Sequence, residues 1–353
     1  MTLDTLLRTG RKHEASDIHI VVGMPPVFRV GGEIVVAKGE AISAAMCQAL
    51  VRECLNEEQQ TRLETDWQLC FSTMFGERDR ARVTIYLRNG FPEVSIRLSE
   101  STMRTRAQLH LPAIVDDLAH KPNGLIVITG PTGVGKTTTF HYIIDLINSE
   151  SRSKIVTIED PIEYTHISKL ALVIQQEVLT DVHSFNRALI HVLRQDPDVI
   201  VVGEMRDPEA IATALTAAET GHLVLVTMHS PSVSHAIERI IGVFEGSAQR
   251  QVVMQLSNAL QGIISQDLLP AADRTRRVLA YELVVANGAV RNLIRENQLH
   301  QLENMIQTGR KDGMMLMDNC LYDLYCKCAI TYDTAISRAH HPDSIIREKS
   351  RAV

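Results

Sequence analysis

Short apolar runs, separated by glycine and proline, organise the first forty residues of the chain. One run covers residues 18–22, and two more cover residues 27–30 and 34–36. Gly31 and Gly32 separate the last two runs, and this arrangement predicts a β-hairpin. The pattern therefore indicates short strands close to the start of the chain.

A helical period and a second hairpin follow. Residues 43–63 carry apolar side chains at helical spacing. From Val83 to Leu98 apolar residues occupy alternate positions, interrupted by Asn89 and Gly90, which predict the turn. The alternation places arginines on the face opposite the apolar stripe, although such a face can also simply be solvated. These arginines are Arg82, Arg88 and Arg97.

The pattern changes after a polar stretch at residues 99–112, which ends at Pro112. Continuous apolar runs then alternate with helical spacing, which predicts a parallel sheet covered on both faces. The runs are residues 125–129, 154–158, 199–202 and 223–228. Residues 234–353 look largely helical, with a short strand at 277–284. We therefore expect one domain at 1–104, a linker at 105–112 and a second domain at 113–353.

Composition narrows the function classes. The 353 residues carry a formal net charge of -6 and only 4% aromatic side chains, which argues against a nucleic-acid protein. The six cysteines form no CxxC pair, so reduced thiols in a cytosolic protein are expected rather than a zinc site. The apolar runs are far shorter than the roughly 20 residues that a membrane span needs. Any membrane association should therefore be peripheral.

One segment carries a phosphate-binding signature. It fits the pattern GxxxxGK[ST], follows the predicted strand 125–129 and opens a predicted helix at 137–148. The glycines let backbone N–H groups face the phosphates, the lysine would contact the β/γ oxygens, and the threonine would bind Mg²⁺. The candidate nucleotide-binding residues are Gly130, Pro131, Thr132, Gly133, Val134, Gly135, Lys136, Thr137 and Thr138.

Acidic residues follow two of the predicted strands. Glu159, Asp160 and Glu163 come after the strand at 154–158, where ligands bind in open α/β sheets. Glu163 is a candidate general base, and the other two carboxylates could order water or the metal; a solvated acidic loop is the alternative. Glu204 follows the run at 199–202, as in a Walker B segment, and is a second candidate metal ligand.

Two histidines bracket the run at 223–228. His222 and His229 could sense the γ-phosphate by hydrogen bonding, or they could be structural. A shared metal ion is disfavoured, because seven residues along a strand span roughly 23 Å.

Together and in this order, these segments resemble the secretion-ATPase superfamily, and most closely its type IV pilus retraction ATPases. The resemblance rests on IVTIEDPIEYTH at 155–166, LRQDPDVIVVGEMRDPE at 193–209 and AETGHLVLVTMHS at 218–230. It extends to the opening segment at 16–32 and to a helical segment at 313–325. Residues 293–297 read LIREN where the retraction subgroup carries a different motif of the AIRAGE type.

The resemblance implies an ATP- and Mg²⁺-dependent motor. Its expected fold is a PAS-like N-terminal α/β domain followed by a RecA-like P-loop ATPase domain with a helical C-terminal region. Glu163 takes the catalytic-glutamate position, Glu204 the atypical Walker B acid, and His222 and His229 the histidine positions. Arg82 and Arg97 match the arginines that reach the phosphates in the family, whereas Arg88 and Arg104 match less well.

The resemblance also implies partners. A homo-hexamer would act in the cytoplasm, peripherally at the inner membrane, on a pilus platform protein and beside a second retraction ATPase, and would not bind nucleic acid. Three alternatives stay open: an accessory motor of the same subgroup, a regulatory or secretion protein gated by nucleotide, and a nucleic-acid translocase.

Overall fold

The computed structural model describes residues 2–76, 79–99, 102–205 and 207–346, which form two compact units. The first unit contains Met1–Met103, Glu159–Ile167 and Gln175–Asp181. The second contains Arg104–Ile158, Ser168–Ile174 and Val182–Val353. The acidic segment after residue 158 thus groups with the N-terminal residues, whereas the domain limits read from the sequence count it with the second domain. Those limits stay a prediction.

The first unit is an antiparallel sheet packed with helices. Its strand order is β3-β2-β1-β6-β5-β4. The strands are β1 Ala15–Ile20, β2 Val27–Val30, β3 Glu33–Val36, β4 Gln68–Phe75, β5 Asp79–Arg88 and β6 Phe91–Leu98. The helices are α1 Leu3–Lys12, α2 Ala44–Cys54 and α3 Glu57–Asp66. Buried aliphatic side chains from both kinds of element, such as Leu50, Val83 and Ile96, form one core.

Both predicted hairpins are confirmed. β2 pairs with β3 across Gly31 and Gly32, and β5 pairs with β6 across Asn89 and Gly90. Asn89 and Gly90 have φ angles of 51° and 81°, the left-handed pair that a tight two-residue hairpin turn requires.

The helical stretch at 43–63 is two helices rather than one. Asn56 separates α2 from α3, because its side chain accepts a hydrogen bond from the Gln59 N–H while the Gln59 side chain accepts one from the Asn56 N–H. This reciprocal cap starts a new helix at Glu57.

The second unit contains the larger part of a mostly parallel sheet of order β13-β12-β7-β11-β10-β8-β9, of which only Glu159 and residues 175–177 group with the first unit. Within it β7 runs parallel to β11 and β12, and β10 runs parallel to β8 and β11. The strands are β7 Gly124–Thr129, β8 Lys154–Glu159, β9 Leu172–Glu177, β10 Val199–Val202, β11 Leu223–Thr227, β12 Leu260–Pro270 and β13 Arg277–Val285. Every residue of β7, β10 and β11 is buried, as expected for parallel strands covered on both faces.

Helices make up much of the rest of the second unit. They are α4 Arg106–Leu109, α5 Ile114–Ala119, α6 Lys136–Glu150, α7 Phe185–Val192, α8 Pro208–Glu219, α9 Val233–Gly242, α10 Gly246–Ala259, α11 Gly288–Arg295, α12 Leu302–Thr308, α13 Met317–Cys326 and α14 Tyr332–Arg338. The predicted linker at 105–112 thus contains α4, which Thr105 and Gln108 cap reciprocally. Residues 100 and 101 of the polar stretch lie outside the described residues. In the described part of the chain, no helix is long and apolar enough to span a bilayer.

Three strands were missing from the sequence-based description: β4 in the first unit, and β9 and β12 in the mostly parallel sheet. β12 lies in the region expected to be helical, yet it pairs with β7 on one side and β13 on the other. β9 is the edge strand next to β8. Polar residues interrupt these two strands: Ser265 and Gln266 in β12, and Gln175 and Gln176 in β9. The predicted mixed α/β class is correct, but the C-terminal region contributes strands to the sheet as well as helices.

Candidate active site

The phosphate-binding segment occupies the turn between β7 and α6, as the sequence predicts. Gly130 leaves β7 with a φ of 137°, in a region that side chains rarely adopt. A Cβ at this position would lie 2.3 Å from the carbonyl oxygen of Gln266 on β12. Only glycine therefore fits where the loop turns over the neighbouring strand.

The N-terminus of α6 is open to an anion. Gly135 is its N-cap residue, with a φ of 89°, and makes no side-chain capping bond. The first N–H groups of an α-helix have no partner inside the helix, and together with the helix dipole they favour a phosphate. Thr137, in the first turn, is exposed, and Thr138 is partly exposed. Pro131, Thr132 and Gly133 are exposed at the crest of the loop, whereas Val134 packs inward.

Lys136 is held over the loop. Its Nζ donates to the carbonyl oxygens of Gly130 and Pro131 at 2.7 Å each, and lies 3.3 Å from Nδ1 of His229. Burial lowers the pKa of Lys136, against the opposing attraction of the Glu204 carboxylate. The loop thus holds the partly desolvated Lys136 ammonium among carbonyl oxygens. A phosphate would bind this ammonium more strongly than those neutral carbonyl oxygens do.

Glu204 and His229 lie at the same edge of the sheet as Lys136. β7, β11 and β10 are successive parallel strands, and the phosphate loop, His229 and Glu204 each follow one of their carboxyl ends. The His229 Nε2 is 3.5 Å from the Glu204 Oε1. The lysine, the histidine and the carboxylate therefore form one chain of contacts.

Two threonines fix the loops that carry this histidine and this carboxylate. The Thr129 hydroxyl donates to the carbonyl of Ser230 and accepts from the Ser230 N–H, both at 2.9 Å. The Thr227 hydroxyl donates to the Gly203 carbonyl, next to Glu204. Each loop is thus tied to the end of a neighbouring strand.

His222 is not brought to this edge. It precedes β11, and its carbonyl accepts from the N–H of Gly124 at the start of β7. Its Nδ1 lies 3.0 Å from the carbonyl of Ala217 in α8. A strand of five residues, about 17 Å long, separates it from His229, so His222 lies away from the phosphate loop, and the role predicted for it stays a prediction.

The first unit gathers a second group of predicted residues. Arg82 on β5 is 3.9 Å from Glu163, and both side chains are partly exposed. The Cys70 thiol and the Glu163 and Asp160 carboxylates raise the pKa of Arg82, although burial opposes them. Asp160 is exposed, whereas Glu159 is buried and accepts a 3.0 Å bond from the Gln175 side chain.

Two of the other predicted arginines, Arg97 and Arg88, pair with different carboxylates. Arg97 pairs with Asp17 at 3.0 Å while its side chain stays largely exposed. Arg88 pairs with the buried Glu93 at 2.5 Å. Arg104 begins the second unit. Among the ion pairs of the described residues, Arg82 is an arginine that lies beside the predicted base.

Sequence reasoning missed Glu177, the buried acid that receives Arg80. A weak signal existed, because Arg80 and Arg82 alternate on β5 and must share a face. Among the described residues, no cluster of three or more His, Cys, Asp or Glu side chains could hold a metal ion. The six cysteines are free thiols.

These features define a P-loop nucleotide-binding protein. They are a glycine-rich turn between a buried parallel strand and a helix, a lysine at the start of that helix, and an acidic residue after a nearby strand. The chain also matches the family model described as type II/IV secretion system protein over residues 74–319. The chain belongs to this family, as its motifs predict.

Its relatives match over nearly their full length. It is 38% identical to the twitching motility protein of Neisseria gonorrhoeae, over 97% of this chain and 91% of that protein. It is also 38% identical to the type IV pilus retraction ATPase PilT of Pseudomonas aeruginosa, over 98% of this chain and all of that protein. The crystal structure of the pilus retraction motor PilT with bound ADP superposes with a TM-score of 0.90 at 40% identity, covering 97% of this chain and 98% of that one. These similarities confirm the predicted kinship with retraction ATPases.

Proposed function

We propose that this protein is an ATP-hydrolysing motor that powers retraction of a type IV pilus. The observation that carries the proposal is the contact chain from Lys136 through His229 to Glu204 beside an open helix N-terminus. It occurs in a chain that resembles retraction ATPases over nearly its whole length. Family and geometry therefore support the same chemistry.

In the proposed reaction the P-loop backbone and Lys136 hold the β- and γ-phosphates of ATP. Glu163 accepts a proton from water, the water oxygen bonds to the γ-phosphorus, and the bond to the β–γ bridging oxygen breaks. The products are ADP and inorganic phosphate. Phosphoryl transfer depends mainly on positioning and charge stabilisation, and the Lys136 cation on the phosphate loop would supply such charge stabilisation.

A divalent cation fits this site. The Thr137 hydroxyl and the Glu204 carboxylate are the oxygen ligands proposed for Mg²⁺, directly or through water, and Glu159 and Asp160 are the further candidates. Mg²⁺ usually takes one or two protein oxygens and completes its coordination with phosphates and water. When bound, the ion would neutralise charge on the transferring phosphate. We propose Arg82 as the arginine that registers the γ-phosphate, with Arg97 as a second candidate.

For the working assembly we propose a homo-hexamer in the cytoplasm, bound peripherally at the inner membrane to the pilus platform protein, with a second retraction ATPase as a further partner. Hydrolysis would drive pilin subunits from the pilus back into the membrane. A protein that uses ATP only as a structural switch is the competing class, and it would bind nucleotide without sustained turnover.

The test is the ATPase rate per subunit as a function of protein concentration, with assembly followed by light scattering. A ring motor should gain activity per subunit as it assembles, and Lys136→Ala should remove the activity. A low rate that stays flat through assembly would favour the switch. In the source organism, deletion of the gene should leave pili that form but do not retract, whereas the loss of all pili would point to an assembly or secretion role.

A further inference from the structure

Glu177, at the end of β9, is a buried carboxylate of the first unit that accepts five hydrogen bonds. Its side chain is only 4% exposed. One oxygen accepts from the backbone N–H of Ser72 at 3.1 Å and from the Thr180 hydroxyl at 3.2 Å. The other accepts from Arg80 at 3.2 Å, from the backbone N–H of Ile162 at 3.0 Å, and from the Ser72 hydroxyl. A single buried group thus collects donors from four segments of chain.

These donors lie next to both members of the Arg82–Glu163 pair. Ser72 on β4 is the direct cross-strand partner of Arg82 on β5. Ile162 immediately precedes Glu163 in the acidic segment. By bonding Ser72 and Ile162 at once, Glu177 links the strand position opposite the arginine to the residue before the glutamate. Glu177 is thus an anchor between the strand that carries Arg82 and the segment that carries Glu163, whose side chains lie 3.9 Å apart.

The neighbouring residues strengthen this link. Arg80 lies on the same face of β5 as Arg82, and its guanidinium contacts Glu177 and, at 3.5 Å, the Ile162 carbonyl. Gln175, two residues before Glu177, donates to the Glu159 side chain and the Tyr164 carbonyl and accepts from the N–H of His166. The acidic segment is thus fastened at several successive points by the end of β9.

We propose that Glu177 is a positioning residue for ATP hydrolysis, holding the segment that carries Glu163 in register with the strand that carries Arg82. This inference rests on the proposed function, in which Glu163 accepts the proton of the attacking water. A displacement of about 1 Å at a reacting group can lower a rate by about a hundredfold, so the anchor should matter for turnover. It should matter little for nucleotide affinity if that affinity comes from the P-loop.

The variant Glu177→Gln keeps the size of the side chain but removes its charge and places an amide NH₂ where backbone N–H groups donate. Glu93→Gln is the matched control, because Glu93 is also a buried carboxylate of the first unit and is paired with an arginine, Arg88, of the same strand β5. Ser72→Ala is a milder second variant that removes only a hydroxyl from the network.

Two measurements test the proposal. Amide hydrogen exchange without nucleotide should show the Ile162 N–H exchanging at least about tenfold faster in Glu177→Gln and unchanged in Glu93→Gln. In the assembled protein, kcat should fall at least about tenfold with the KM for ATP within about twofold, and Ser72→Ala should lose less. In an Arg82→Ala background the same Glu177→Gln change should lower kcat by less than about twofold. The reason is that the loss of Arg82 already removes the Arg82–Glu163 geometry that Glu177 is proposed to hold.

Unchanged exchange at Ile162, or an equal loss of kcat in the presence and absence of Arg82, would overturn the proposal. An equal loss of kcat in Glu93→Gln would do the same, since it would reduce the effect to general destabilisation. If the wild-type protein hydrolyses no ATP, the proposed function fails, and the exchange experiment still reports whether Glu177 anchors the acidic segment.

Discussion

Thr129 offers a direct test of how the site edge of the second unit is held together. Its buried hydroxyl makes two bonds to the backbone of Ser230, which follows His229, and both residues are nearly inaccessible to solvent. Thr129→Val preserves the shape of the side chain but leaves the Ser230 N–H and carbonyl without this partner. Each orphaned buried group costs roughly 1–3 kcal/mol, so for two groups we expect a loss of about 2–6 kcal/mol.

For a unit of this size, 1 kcal/mol corresponds to about 2–4 °C in Tm, so the variant should melt about 4–24 °C lower. Differential scanning calorimetry measures this, and Thr216→Val is the matched control, because Thr216 is exposed on α8 and its hydroxyl bonds only within its own helix. We further expect Thr129→Val to weaken ATP binding, since the loop carrying His229 loses its tie to β7. A melting temperature equal to that of the control would refute the reasoning.

Three further predictions concern other parts of the molecule. Gly130→Ala should abolish ATP binding in a fluorescent-nucleotide titration, because its Cβ would lie 2.3 Å from the Gln266 carbonyl oxygen; wild-type affinity would contradict the loop geometry. Burial raises the pKa of Glu282, so the stability linked to its proton is present at low pH and lost as the pH rises through the folded-state pKa. Glu282→Gln removes this proton linkage, so the Tm of the variant minus the Tm of wild type should increase from about pH 4 to about pH 7. A Tm difference that does not grow with pH would contradict this. Burial also raises the pKa of Cys320 to about 11, so iodoacetamide at neutral pH should label the exposed Cys326 far faster in native protein, as peptide mass spectrometry can measure; equal labelling would show that Cys320 is accessible.

The sequence was most informative where local pattern and burial agree. The runs that became β7, β10 and β11 are apolar apart from the threonine that ends β7 and β11, because strands covered on both faces have no side exposed to solvent. The phosphate loop could be predicted because its curved backbone passes close to a neighbouring strand and therefore requires glycine. Gly130, which passes close to the Gln266 carbonyl, is an example.

The sequence pattern did not predict elements whose structure depends on pairing between residues far apart along the chain. β12 carries buried polar residues such as Ser265 and Gln266, whose contacts lie on other elements, and it follows α10 directly. Its pairing with β7 and β13 overrides the weak local preference of its residues. Likewise, no spacing rule links Glu177 to Ser72, because 105 residues separate them along the chain. The strand between the two histidines places His229 at the edge of the sheet that carries Lys136, and His222 at the opposite edge.

The central proposal is that Glu163 activates water for ATP hydrolysis. The measurement that tests it most directly is ATP binding and ATP turnover, each determined on the assembled Glu163→Gln protein beside wild type. The account predicts that the variant binds ATP with a Kd within about threefold of wild type and loses turnover by at least about a hundredfold. Hydrolysis at the wild-type rate by Glu163→Gln would contradict it.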